Sequence, residues 1–188
     1  MINSGIVDSL LKILSTWKID KITYPYIDTF TSFTYPSSFE IIQQLIQKKS
    51  LPTLLRLFEH KDEDIAWRTI NAIDNIIYYG AIGTEQTQSH PYYQELAQIG
   101  GTIKIFELFR TQDEYSKMIS STCLGIVFRA REMINPEMKV EILNHLKSII
   151  NHEDEDYRKL SNLALKCLAQ NQANRTDITK DGFAIPDD

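Results

Sequence analysis

At 188 residues, 43% of them hydrophobic, the chain can bury one substantial core and falls short of the length that demands two domains. Its formal net charge is −5 and its Lys and Arg are scattered, without the basic stripe that phosphate contacts need, which excludes nucleic acid and an anionic membrane surface as partners. No run approaches the roughly 20 apolar residues of a membrane span, and Met1-Ile2-Asn3 lacks the basic start of a secretory signal, so a soluble cytoplasmic protein, with the nucleus as a second compartment, is expected.

Val7-Asp8-Ser9-Leu10-Leu11-Lys12-Ile13-Leu14 opens the chain as an apolar helix. The stretch from Tyr24-Pro25-Tyr26 to Tyr35-Pro36 follows, crowded with Tyr24, Tyr26, Phe30, Phe33, Tyr35 and Phe39 in place of a clean helix. It reads as an irregular first repeat over residues 1–39, the cap that an open end of a stack requires; an aromatic partner site is the alternative.

A repeat then becomes legible. Leu51, Leu54, Leu55 and Phe58 fall at i, i+3, i+4 and i+7, one face of a helix. The acidic turn Asp62-Glu63-Asp64 leads into a second apolar helix through Ile70, Ile73, Ile76 and Ile77. Adding 51 to these numbers gives Gly101-Thr102-Ile103-Lys104-Ile105-Phe106-Glu107-Leu108-Phe109 and Asp113-Glu114, and adding 41 more reaches Ile149-Ile150 and Asp154. The opening helix lies 44 residues before Leu51 to Phe58 and forms a weaker fourth copy. Val140, Leu143, Leu146, Ile149 and Ile150 make the apolar face of the last unit, and Leu54, Leu57, Ile73 and Leu108 are expected to be buried. Asp62, Asp113 and Asp154 each precede a second helix, where a short carboxylate accepts orphan backbone N–H groups.

Gly80 to Pro91, rich in Gly, Thr, Gln and Ser, accounts for the longer spacing as an exposed loop insertion over residues 80–91. After Ala169 the chain turns polar, and residues 171–188 read as a loose tail in which Asn174-Arg175-Thr176 matches a glycosylation pattern by chance.

No catalytic or cofactor chemistry is expected. His60, His90, His145 and His152 show no metal-ligand spacing, and His152-Glu153-Asp154-Glu155-Asp156 lacks the Gly and terminal Glu of a calcium loop. Cys123 aligns with Ala72 and reads as a packed small hydrophobe, while Cys167 suggests neither disulfide nor zinc knuckle. Gly100-Gly101 has no phosphate-binding pattern around it, and Glu132, Glu137 and Glu141 read as a wetted helix face.

Leu51-Pro52-Thr53-Leu54-Leu55-Arg56-Leu57-Phe58 resembles the second-helix signature of armadillo repeats, and Ala72-Ile73-Asp74-Asn75-Ile76 the third-helix signature. Tyr93-Gln94-Glu95-Leu96-Ala97-Gln98-Ile99-Gly100-Gly101 resembles the short helix and Gly junction that opens a repeat. Phe39-Glu40-Ile41-Ile42-Gln43-Gln44-Leu45-Ile46 does so too, with Lys49-Ser50 in place of the glycines. The resemblance covers residues 1–170 and implies an all-α right-handed superhelix, an α-solenoid of about four armadillo-like repeats. HEAT repeats share its stacking physics, and the last unit fits either type.

The resemblance further implies a concave groove, lined by third helices, that presents itself to a partner peptide or protein. Arg68, Asn71, Asn75 and Tyr78 form the stripe on the helix through Asn75, with Thr122 and Arg129 among its equivalents on the next. Asparagine amides suit such a groove because each offers donors and an acceptor to a peptide backbone. One alternative is assembly: Leu160, Leu163 and Cys167 make the last repeat apolar and open to self-association. A nuclear-import adaptor of the importin-alpha type is the other, although the Trp that such adaptors place four residues before each groove Asn is absent, with Asn71 standing there before Asn75.

Overall fold

The computed structural model describes residues 5–110 and 113–187; Met1-Ile2-Asn3, read above for a signal, and Asp188, at the end of the expected tail, lie outside the described residues. The chain is 70% helical, and the described residues contain no strand. In order the helices are α1 (Ile6–Thr16), α2 (Tyr24–Thr31), α3 (Phe39–Gln47), α4 (Ser50–Leu55), α5 (Glu63–Ile82) and α6 (Tyr93–Gln98). Then come α7 (Gly101–Phe109), α8 (Glu114–Val127), α9 (Pro136–Ile149), α10 (Glu155–Leu168) and α11 (Gln172–Thr179). Helices α2, α5, α8 and α10 pack side by side as an inner ladder, and α1, α4 and α7 stack behind it. Arg110, just past α7, joins that outer row to α9 by pairing with both Glu137 and Glu141, so these carboxylates are ion-pair partners and not a plain wetted face.

Local chemistry starts each inner helix. Asp62 accepts the Asp64 N–H at 3.0 Å, Asp154 the Asp156 N–H at 2.9 Å, and Asp113 both the Tyr115 and Ser116 N–H groups at 3.3 and 2.8 Å. Two residues before two of these caps stands a histidine whose Nδ1 accepts the cap's own N–H, His60 for Asp62 at 2.9 Å and His152 for Asp154 at 3.0 Å. That His-x-Asp device is a repeat signature visible in the sequence and overlooked there. At the repeat junctions Gly100 turns the chain with φ 71°, and Lys49 keeps the same left-handed turn with φ 59° although it carries a Cβ.

Several expectations change. Leu54, Leu57 and Ile73 are buried, but Leu108 is half-buried while Ile105, Phe106 and Phe109 fill the core beside it, a register shift within α7. In the last unit Leu143, Leu146 and Ile150 are buried as expected, but Val140 is 58% exposed, and Met138 and Ile142 complete the buried face of α9. The first repeat holds a genuine inner helix, α2, with Pro25 in its first turn where no N–H is needed, and Phe30 is buried while Tyr24, Tyr26, Phe33 and Phe39 pack on the core.

The expected loop at 80–91 is shorter. Gly80 to Ile82 complete α5, and His90 is buried, with Nε2 donating to the Ile77 carbonyl at 2.9 Å and Nδ1 accepting the Tyr92 N–H at 3.2 Å. The expected tail at 171–188 is also wrong in part, since α11 is capped by Asn171 and buries Asn174 and Ile178. Asn174 is polar because it satisfies backbone: its amide donates to the Arg131 and Leu168 carbonyls at 2.8 and 3.3 Å and accepts the Met133 N–H at 3.2 Å.

Candidate functional site

The inner ladder carries a polar cavity of about 510 Å³ between α2 and α5, lined by Asp28, Thr31, Ser32, Tyr35, Arg68, Asn71 and Asn75. Three of the residues expected in a groove meet here. Arg68 pairs with Asp28 through Nη2, and its Nε donates to the same carboxylate oxygen at 2.7 Å; the guanidinium also lies over the Tyr24 and Trp67 rings. Asn71 donates to the Trp67 carbonyl at 2.8 Å and accepts the Tyr115 hydroxyl of α8 at 2.8 Å. Asn75 donates to Thr34 Oγ1 at 3.1 Å. Each amide therefore lines the cavity and also ties α5 sideways to a neighbour, leaving further hydrogen-bonding capacity on Asn75.

Three expected residues are elsewhere. Tyr78 is half-buried outside the cavity, edge-on to Tyr79 with ring centroids 5.5 Å apart. Thr122 is 0% exposed and bonds back to the Met118 and Ile119 carbonyls inside its own helix, so it faces no groove. Arg129 is 1% exposed and donates to the Gln88 and Ala81 carbonyls at 2.9 and 2.8 Å and to Thr84 Oγ1 at 2.6 Å. It staples the 83–89 segment to the end of α8.

The burial of Thr122 has a clear cause: the ladder closes over α8. Ser120, Ser121, Thr122 and Cys123 are small, and a Cβ placed on Gly125 would meet the Ala164 Cβ of α10 at 2.7 Å, so the helices on either side approach until Ile119, Thr122 and Ile126 are sealed. The α2–α5 cavity lies on one side of α8. On the other side a larger cavity of about 910 Å³ runs along α10, bordered by Ala81 and Thr84 from the end of α5.

The cavity residues missed by sequence were Asp28, Thr31 and Ser32, while Tyr35 belongs to the aromatic stretch read above as an alternative partner site. A signal existed: Asp28 and Arg68 are 40 residues apart, Thr34 and Asn75 are 41, offsets near the repeat spacing. The proline- and aromatic-rich composition of the first repeat hid it.

Charge inside the ladder is sparse. Asp74 is buried on α5 with Oδ1 unbonded among the described residues, and burial pushes its carboxyl up to about 7. Burial, then the neighbouring Asp74 charge, raise the Cys123 thiol well above its usual range, and burial raises Cys167 to about 11. Neither thiol has the electropositive, accessible setting of a nucleophile. Among the described residues no three His, Cys, Asp or Glu side chains group as a metal site, and no helix is long and apolar enough to cross a membrane. Of the apolar residues that suggested self-association, Cys167 is buried, while Leu160 and Leu163 are half-buried and pack on the core with one side.

No protein-family model matches the chain, and no curated protein matches it. Solved structures do. A designed armadillo repeat protein in complex with the peptide (KR)4 matches with TM-score 0.66 and 18% identity over 96% of this chain and 72% of its own. A second designed armadillo repeat protein matches with TM-score 0.67 and 18% identity over 96% of this chain and 72% of its own. A computationally designed armadillo repeat protein for modular peptide recognition matches with TM-score 0.58 and 16% identity, covering 94% of this chain and 80% of its own. Together with the stacked inner ladder and the repeat junctions at Lys49 and Gly100, these likenesses make the chain an all-α solenoid with an armadillo-like repeat fold.

Proposed function

We propose that the chain is a non-catalytic interaction module that holds an extended segment of a partner protein in the α2–α5 cavity. The observation that carries this reading is the placement of Asn71 and Asn75, four residues apart on one helix face, on the wall of one open polar cavity. Four helical residues rise about 6 Å, and an extended peptide repeats each two residues over about 6.6 Å, so successive amides meet successive backbone groups of like orientation. Tyr35, 63% exposed at the rim, adds an apolar surface for a side chain of the bound segment. The paired Arg68 and Asp28 neutralise each other, so recognition rests on the partner's backbone more than on its charge. The structural neighbour that holds (KR)4 supports a peptide as the ligand class.

Ser32→Trp tests the site, because Ser32 is exposed at the cavity wall and a Trp there fills the space without disturbing Asn71 or Asn75. Peptides selected from a displayed random library by the natural chain should bind the variant at least about tenfold more weakly, a loss of about 1.4 kcal/mol. Equal binding by both chains would place the ligand elsewhere and remove the cavity from consideration.

A further inference from the structure

The cavity along α10 has a chemistry of its own and a segment of the same chain along its edge. Arg158, Lys159 and Lys166 line it against a single carboxylate of that helix, Glu155, in a chain whose net charge is −5. Lys159 pairs with Glu155 at 2.6 Å, while Arg158 donates to the His152 and Glu153 carbonyls at 2.6 and 2.9 Å, acceptors that carry no charge to neutralise its own. Ile82, 56% exposed, and half-buried Leu163 supply an apolar side. A groove with a basic edge and an apolar floor suits a segment with apolar anchors followed by carboxylates.

Such a segment is present. Beyond α11 the chain turns at Gly182, with φ 77°, and comes back across the end of the stack. The Phe183 ring lies 5.0 Å from Lys147 Nζ, and Ile185 packs on the core. With its amide oriented to satisfy both neighbours, Asn162 donates to the Pro186 carbonyl at 3.2 Å and accepts from Lys166 Nζ at 3.3 Å. Pro186 and Asp187 themselves form part of the cavity wall. The segment is mostly exposed, with Phe183 and Ile185 half-buried, which is the balance expected of a displaceable segment.

We propose that the α10 groove is a second binding site, for extended segments that carry apolar anchors followed by acidic residues, and that residues 183–187 hold it as an internal competitor. An incoming segment must displace them, so its apparent affinity falls by the fraction of time the groove is free. The site stands apart from the α2–α5 cavity, and Ser32→Trp leaves it untouched.

The test uses the full chain and a fluorescent peptide of residues 182–188. The double variant Phe183→Ser, Ile185→Ser weakens the internal segment and should bind the labelled peptide at least about tenfold more tightly than the natural chain. Asp187→Lys, at an exposed position, should show the same order without touching a packed side chain. Adding Lys166→Glu to either variant should abolish binding, as should a peptide with lysine in place of both terminal aspartates. The proposal is overturned if the variants bind no better than the natural chain, or if Lys166→Glu leaves their binding intact.

Discussion

Arg129 Nη1 lies 2.8 Å from the Ala81 carbonyl, linking the end of α8 to the end of α5 across 48 residues of sequence. The same guanidinium holds Gln88 and Thr84, so one buried cation supplies donors to an otherwise open connection. Arg129→Met should cost roughly 1–3 kcal/mol, since charged hydrogen bonds are lost while the freed acceptors can turn to water. Limited proteolysis should then cut faster within residues 83–89, the exposed part of the connection. Cleavage at an unchanged rate would show that His90 alone anchors this segment.

Asp74 makes stability fall with rising pH. Its carboxyl titrates near 4 when unfolded and at about 7 when folded, so between these values the folded state binds more protons and is favoured at the acid end. Asp74→Asn should remove that slope and raise stability at neutral pH, since each tenfold difference in proton affinity between the two states is worth about 1.4 kcal/mol. His90 contributes the opposite slope: its folded value of about 4 lies below the ordinary 6.5, so its contribution is lost as pH falls through that window. Denaturant melts of the natural chain and of D74N across pH 4–8 separate the two, and parallel profiles would mean that Asp74 finds a partner or water.

Lys49 holds a left-handed turn that its side chain disfavours. Lys49→Gly should stabilise the chain by about 1 kcal/mol, because the L side chain's penalty in that conformation exceeds the extra chain entropy of glycine. A lower melting temperature for the variant would mean that the entropy term wins.

Core positions rank by their actual burial. Ile73→Ala, at a sealed site on α5, should cost about 2–5 kcal/mol. Leu108→Ala should cost clearly less, about 1 kcal/mol, because that side chain already meets water in part. Equal losses in chemical denaturation would restore Leu108 to the core.

What the sequence by itself determined is local. The 3.6-residue spacing of Leu51, Leu54 and Leu55, the caps at Asp62, Asp113 and Asp154, and the junction glycines act within one or two turns, and together they specify stacked helix pairs. That Asn71 and Asn75 share one helix face was legible for the same reason, and both line the α2–α5 cavity.

Exposure was decided by tertiary structure, because it depends on how near the next helix comes. Thr122 was assigned to a groove by repeat alignment, yet the small residues of α8 and the contact of Gly125 with Ala164 draw the ladder shut over it. Arg129 was assigned as a reader of acidic side chains, yet carbonyls more than 40 residues earlier claim it. Asn174 sits in a stretch too polar to suggest a core, yet it is buried, because its amide completes backbone groups around Arg131 and Met133 that no periodicity announces. Hydrophobic patterning reports which residues leave water for apolar reasons; a polar side chain buried to satisfy a distant carbonyl leaves no such trace.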